Sequence, residues 1–366
     1  MHNSILPNLM IILYLLTCVV LSFVLVDVFV NLQEWQSRIH IGRWKDRIEW
    51  QSALERTSRR WLKHSPVVRQ TSNTRLLLWD MLRGTFRSST IQKWQDAGLL
   101  LGLNEVDARK YTQHHQILFD FKKLEPEDLL LAYVLLKHHC LTDEQQHIIL
   151  SFYDDLKDVG TIAYRPWLKK VRFVDTIGMV LPFFHACGWD ELAIRQLKEY
   201  DDALLHGIYP AHAYDLEKKL PLGVHDWSRG IGWYTLGLVE AATLPGNKER
   251  IIHLSEAMLQ HQNVDGGFSC FVFNQQERME SSGTVLIGLL FVAAYQISQD
   301  KRFLTAAFRI EKALMKATRR DGALDYCQGD TYGIGYYSHL FSVMPFAEGL
   351  ALLFSKKLNE FVDENA

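Results

Sequence analysis

The chain has 366 residues, a formal net charge of −2 and 48% hydrophobic residues. Forty Lys and Arg stand against 42 Asp and Glu, so there is no excess positive charge for gripping a nucleic-acid backbone, and so apolar a composition excludes a disordered chain. The length admits either two domains or one large helical domain of roughly 300 residues.

From Leu9 to Leu25 ("LMIILYLLTCVVLSFVL") there is no charge, and extension to Ile5 and Val30 adds only Asp27. A helix needs about 20 apolar residues to span a bilayer. A basic n-region and a small-residue cleavage site are both missing, so residues 1–30 read as an uncleaved transmembrane anchor and not a signal peptide. The alternative is a buried helix of a soluble protein. Only His2 and the amino terminus precede the span, whereas Arg38, Arg43, Lys45 and Arg47 follow closely. The excess of basic residues after the span predicts a single-pass protein of the cell membrane whose large domain faces the cytoplasm. Residues 31–70 read as a charged, amphipathic helical linker with Trp35, Trp44, Trp50 and Trp61 towards the membrane. The main domain is then 71–366, with a separable soluble part from about residue 40.

Beyond the linker, helix-length apolar segments alternate with short polar breaks. They cover 128–140, 143–157, 174–187, 190–205, 232–244, 248–261, 282–298, 302–318 and 338–356. Each has helical periodicity or is apolar nearly all round, and no sustained period-2 alternation appears, so strands are few. Pro126, followed by Glu127 and Asp128, marks a helix start. Two breaks, "NVDGGFSCF" (263–271) and "RRDGALDYC" (319–327), lie about 56 residues apart and share a D-G turn after a long helix. Repetition of a helical hairpin predicts a closed α/α toroid, with a solenoid as the alternative.

Three stretches can carry chemistry. Asp175 sits inside the apolar run "VRFVDTIGMVLPFF" (171–184). A carboxyl group there acquires a raised pKa, as a general acid at neutral pH requires; the plainer reading is a core Asp that caps a helix or pairs with an Arg. The loop 204–221 holds His212, Tyr214 and Asp215, which face either a pocket or the surface. "HDWSRGIGW" (225–233) places Trp227 and Arg229 before an apolar helix, with Trp233 four residues after Arg229 and so on the same helical face. Arg offers a planar fork for a carboxylate and Trp a stacking surface for a sugar ring. The glycines at 230 and 232 are expected to let the backbone turn tightly into the helix.

Taken together, these stretches resemble the unsaturated glucuronyl and rhamnogalacturonyl hydrolases, glycoside hydrolase families 88 and 105, and are closest to the second. Over residues 120–356 the family's W-x-D-x-x-x-M-x-x-P-F segment is matched from Phe173 through Asp175 and Met179 to Phe183. Its H-A-W-D is matched by His212-Ala213-Tyr214-Asp215, its W-x-R-x-x-G-W by Trp227 to Trp233, and its E-x-S-G-T by Glu280 to Thr284. "CQGDTYGIGYY" (327–337) also falls in family order. Tyr214 and Phe173 stand where the motifs have Trp. Residues 70–118 carry Trp79 and Trp94 without the family's aromatic first-hairpin spacing. The resemblance implies an all-α (α/α)6 barrel. It also implies hydrolysis of oligosaccharides ending in a Δ4,5-unsaturated uronic acid, by protonation at C4 and hydration at C5. Asp175 matches the general acid/base and Asp128 the second active-site aspartate. His212, Arg229, Trp233, Tyr214 and Trp227 match substrate contacts.

The acidic and His residues lack metal-ligand spacing, and no phosphate-cradling glycine loop occurs, so neither a metal nor a cofactor is expected. The five cysteines form no C-x-x-C pair and read as reduced thiols. The expected partners are an acidic oligosaccharide substrate and, through the anchor, the membrane, with no nucleic acid. Rival readings are a non-catalytic binder of acidic glycans in a membrane polysaccharide system, and a hydrolase of saturated glycosides on the same barrel.

Overall fold

The computed structural model describes residues 5–66, 68–69, 77–83, 86–87, 93–115, 124–145, 147–149, 151, 161–165, 167–203, 207–331 and 333–362. Six inner helices form a closed ring: α4 (Lys93–Gly102), α6 (Pro126–Lys137), α7 (Val174–Ala186), α9 (Ser228–Glu240), α11 (Ser281–Ser298) and α13 (Pro345–Asn359). Each packs on the next, and α13 packs back on α4. The outer helices among the described residues are α2 (Arg47–Lys63), α5 (Glu105–His114), α8 (Asp190–Ala203), α10 (Asn247–Leu259) and α12 (Lys301–Ala317). This is the expected (α/α)6 barrel. Part of the helix expected over 143–157 lies outside the described residues.

Burial explains the division between the two rings. Helix α11 is apolar all round, and every residue from Ser281 to Tyr295 is buried, because neighbours cover each of its faces. Outer α12 is amphipathic and turns one stripe inwards. Small residues let inner helices touch backbone to backbone. A Cβ on Gly98 would lie 2.5 Å from Phe346 Cα, and one on Gly349 would lie 2.1 Å from Gly98 O.

The two D-G breaks are the same turn built twice. Gly266 and Gly322 both have positive φ, 97° and 89°. Asn263 N–H donates to Gly267 O at 2.9 Å, and Arg319 N–H to Ala323 O at 2.8 Å. Each turn leads from an outer helix, α10 or α12, to the next inner one. The segment 338–356 becomes helical only from Pro345, at a position where its missing N–H costs nothing.

Helix α1 (Ile5–Arg38) has 34 residues, about 51 Å at 1.5 Å per residue. Its most apolar window is wholly unburied, whereas its last turns touch the barrel. Asp27 Oδ1 accepts the Leu77 N–H at 2.7 Å, at the start of α3 (Leu77–Leu82).

The expected linker over 31–70 is corrected. Helix α2 is an outer helix of the barrel, packed on α4 and α13. Trp50 is 0% exposed and donates through Nε1 to Thr318 Oγ1 at 2.8 Å. The charges that suggested a solvated linker are paired with the barrel, Arg47 with Glu311 at 2.7 Å and Arg59 with Asp107 at 3.1 Å. The barrel therefore begins before residue 71. Trp50→Ala is expected to cost about 3–5 kcal/mol of folding stability, the range for deleting a buried Trp. Chemical denaturation of the full chain in detergent micelles measures it, whereas a linker Trp would cost almost nothing.

Candidate active site

Strand register brings the first two groups together. Strand β3 (Val171–Phe173) pairs antiparallel with β4 (Ala213–Asp215), which pairs with β5 (Leu220–Leu222), and Phe173 lies opposite Ala213. The next residues meet as well: Val174 N–H donates to His212 O at 2.9 Å. Asp175, in the first turn of α7, therefore faces His212, with Nε2 to Oδ2 at 4.0 Å. His212 Nδ1 lies 3.1 Å from the Tyr337 hydroxyl.

Both side chains line a cavity of about 440 Å³, together with Trp94, Trp227, Arg229, Trp233 and Asp330. Trp233 stacks on Phe346, with centroids 5.4 Å apart and an 18° interplanar angle, and Trp94 meets Trp233 edge-on at 5.9 Å. Trp227 lies 4.6 Å from the His212 ring and donates through Nε1 to Gln328 Oε1 at 2.9 Å. These rings surround the carboxyl group, whose side chain is 16% exposed. Burial pushes the Asp175 pKa up to about 7; its own backbone N–H and Arg229 oppose the shift, and the negative charges of Asp330 and Glu127 add to it. Burial lowers His212 to about 4, so the imidazole is neutral beside the acid.

Arg229 is placed differently from expectation. It is buried in the first turn of α9, with Nε donating to Ser282 Oγ at 2.8 Å and Nη1 to Gly329 O at 3.2 Å. Nη2 donates to Gln328 O and lies 3.6 Å from Glu280 Oε1. Its fork is thus largely spent on the segment 328–329, and it shapes the cavity wall as well as lining it. Gly230 and Gly232 also serve another purpose. Both lie inside α9, where Cβ atoms would meet the Trp227 ring at 2.7 Å and Leu286 at 2.6 Å. They permit close packing, and no turn is needed there.

Two expected site residues lie away from the cavity lining. Asp128 is ion-paired with Lys93 and accepts the Glu125 N–H at 2.9 Å, so its carboxylate closes the first turn of α6. Tyr214 is buried in the middle of β4, opposite Arg172 and Pro221. Three lining residues carry no assigned role in the sequence. Asp330 lay within the glycine-rich segment already picked out, where an acid between glycines was the available signal. Trp94 stands alone at the start of an apolar helix. Arg165 grips Glu127 with two bonds, 2.8 and 3.1 Å, and its signal appears only in three dimensions.

A larger cavity of about 960 Å³ lies between α2 and α5, lined by Arg59, Lys63, Lys110 and His114 among others. Its one carboxylate, Asp107, is already paired with Arg59. The smaller cavity, which holds the motif residues Asp175, His212 and Trp233, is the candidate site.

Arg229→Ala would leave Glu280 and two carbonyls buried without their partner. It is expected to lower folding stability by about 3–5 kcal/mol, the cost of breaking a buried charge pair. Denaturant unfolding measures this, and a change in ligand binding with unaltered stability would contradict the clamp. Asp330→Asn removes a negative charge that raises the Asp175 pKa. An acid that works protonated then loses its proton at lower pH, so the alkaline limb of kcat/KM, near pH 7 in the wild type, is expected to move down. A pH–rate profile reads this directly.

Residues 200–361 match the family profile described as Glycosyl Hydrolase Family 88. Among solved structures, the chain is similar to a glycoside hydrolase from family 105 of C. acetobutylicum ATCC 824, with TM-score 0.58 and 14% identity over 77% of this chain and 97% of that one. A possible member of family 105 from Salmonella enterica gives TM-score 0.63 and 13% identity over 87% and 96%. The unsaturated glucuronyl hydrolase from Bacillus sp. GL1, described as responsible for the degradation of glycosaminoglycan, gives 0.58 and 16% over 85% and 95%. No curated protein sequence matches the chain. The structural likenesses are of fold. With the profile match, they bear out the family resemblance drawn from the motifs.

Proposed function

We propose that this chain, whose residues 200–361 match the Glycosyl Hydrolase Family 88 profile, hydrolyses oligosaccharides whose non-reducing end is a Δ4,5-unsaturated uronic acid. The observation that carries the proposal is Asp175, a carboxyl group held near pKa 7 by burial, facing an aromatic-walled cavity beside a neutral His212. A carboxyl group still largely protonated at neutral pH can give its proton to a weakly basic carbon, which an ordinary Asp cannot do.

In this scheme Asp175 donates its proton to C4 of the enol ether, and positive charge develops at C5 and the ring oxygen. The carboxylate so formed takes a proton from water, whose hydroxide adds to C5. The hemiketal opens to a ketone and a hemiacetal at C1, and the hemiacetal expels the second sugar as an alcohol. Asp175 finishes protonated, so one water is consumed and the acid is regenerated. Trp227 and Trp233 pack against the ring. Asp330 keeps the acid protonated. The neutral His212 orients water or a hydroxyl group without competing for the proton. Arg229 holds the cavity wall and directs its remaining N–H towards the uronate.

The exposed apolar run of α1 supports membrane attachment, and the basic residues after it support a cytoplasmic barrel. The test mixes the full chain, in detergent micelles, with a panel of lyase-generated unsaturated disaccharides and follows the ultraviolet absorbance of the C4–C5 double bond. Absorbance is expected to fall with at least one substrate, and Asp175→Asn is expected to slow that fall at least about 100-fold, the usual range for losing a general acid. Full activity in Asp175→Asn would overturn the assignment. Glycan binding without any loss of absorbance in the wild type would favour a binding protein.

A further inference from the structure

The segment 319–342 forms one wall of the cavity, and it hangs from the end of α1. After the turn at Arg319 the chain passes Asp325 and enters strand β6 (Cys327–Gln328), which pairs with β7 (Phe341–Ser342). Between these strands Asp330, Thr331, Gly333 and Ile334 line the cavity. Further on, Tyr337 meets His212, and Gly329 N–H donates to Leu340 O at 2.7 Å. The far end is loosely held: no described atom lies within 4 Å of where a Cβ on Gly333 or Gly335 would sit, and Tyr336 is exposed.

The base, in contrast, is bolted down. Arg38, the last residue of α1, donates from Nε to Asp325 Oδ2 at 2.6 Å and from Nη2 to Oδ1 at 3.0 Å. Nη2 also reaches Phe341 O at 3.3 Å, so one guanidinium holds both legs of the hairpin. One turn earlier, Glu34 Oε1 accepts from Ser342 Oγ at 3.3 Å and from Arg319 Nη2 at 3.4 Å, and pairs with Arg38 at 3.0 Å. The Asp325 side chain is fully buried, and Arg319 Nε is its other cationic contact, at 2.7 Å. Tyr326, next to it, has a left-handed φ of 60°, a conformation a bulky residue adopts only where its surroundings enforce it.

We propose that Glu34 and Arg38 are positioning residues of the active site: the end of the anchor helix clamps the base of the 325–342 hairpin and thereby holds Asp330 and Tyr337 against Asp175 and His212. The anchor is then part of the catalytic domain, and a chain cut near residue 40 would lose half of the clamp. The catalytic consequence rests on the function proposed above; the structural consequence stands without it.

The test uses the full chain in detergent micelles, with Arg38→Ala, Glu34→Ala and Arg38→Lys, and with Arg302→Ala, which breaks exposed pairs with Asp300 and with Glu256 of α10 far from the hairpin, as control. Amide hydrogen exchange is followed for peptides covering 327–342. Arg38→Ala is expected to speed their exchange about tenfold with peptides of α10 unchanged, and Arg302→Ala to leave 327–342 as in the wild type. If Arg38→Ala unfolds as a whole, seen as faster exchange in α10, then Arg38→Lys decides. It keeps the charge but loses the fork, and faster exchange confined to 327–342 is expected. Wild-type exchange of 327–342 in Arg38→Ala, or in Arg38→Lys where Arg38→Ala unfolds, overturns the clamp. On an unsaturated disaccharide that the wild type turns over, kcat is expected to fall roughly 10- to 100-fold in Arg38→Ala with KM little changed, and partly to recover in Arg38→Lys. An unchanged kcat overturns the positioning role. A wild type that turns over none of the disaccharides defeats the proposed function alone, and the exchange measurement still decides the clamp.

Discussion

Closure of the inner ring is the constraint on which the rest depends. Outer helices α5, α8, α10 and α12 run back between successive inner ones, and the inner helices bring their first turns to one end. Trp94 of α4, Glu127 of α6, Asp175 of α7, Arg229 of α9, Ser282 of α11 and Phe346 of α13 all lie in a first turn, and each contacts or electrically influences another of the set. The backbone contacts through Gly98, Gly178, Gly237 and Gly349 draw the ring tight enough for the six ends to enclose a cavity of sugar size.

The cavity's electrostatics follow from that enclosure. Helix N-termini favour negative charge, yet Asp175 is pushed towards its neutral form. Burial wins because the surrounding rings cover most of the carboxyl group and because Asp330 and Glu127 already supply negative charge nearby. Arg229, the obvious counter-ion, spends most of its donors on Ser282, Gln328 and Gly329. The same residue thus helps to build the wall and leaves the acid only partly compensated, which suits proton donation better than a tight ion pair would.

The exposed apolar helix and the cavity wall meet in one segment. The hairpin 325–342 is fixed on the barrel side by Arg229, Glu280 and Trp227 through Gln328, and on the anchor side by Glu34 and Arg38. The buried Asp325 carboxylate lies between two guanidinium groups, one from each side of this junction. An anchor joined by a flexible linker would transmit nothing to the cavity. A helix that ends in a buried ion cluster makes the orientation of the span and the shape of the wall one rigid arrangement.

By itself the sequence determined what depends on local pattern. The apolar run of α1, five of the six inner helices, the repeated D-G turns and the motif around Asp175 are all spaced within a few turns of chain, so periodicity and glycine placement reveal them. The sequence also identified Asp175 as an acid out of place, since seven of its ten nearest neighbours in the chain, from Lys170 to Val180, are apolar or glycine. Only the tertiary structure decided which polar groups share that acid's surroundings. Asp128 and Asp330 look equally eligible in the sequence. Lys93 and a helix turn claim the first, whereas the hairpin carries the second to the cavity. Charge alone made residues 47–63 resemble a solvated linker, because the partners Glu311 and Asp107 lie far off in sequence and neutralise them only once the ring closes.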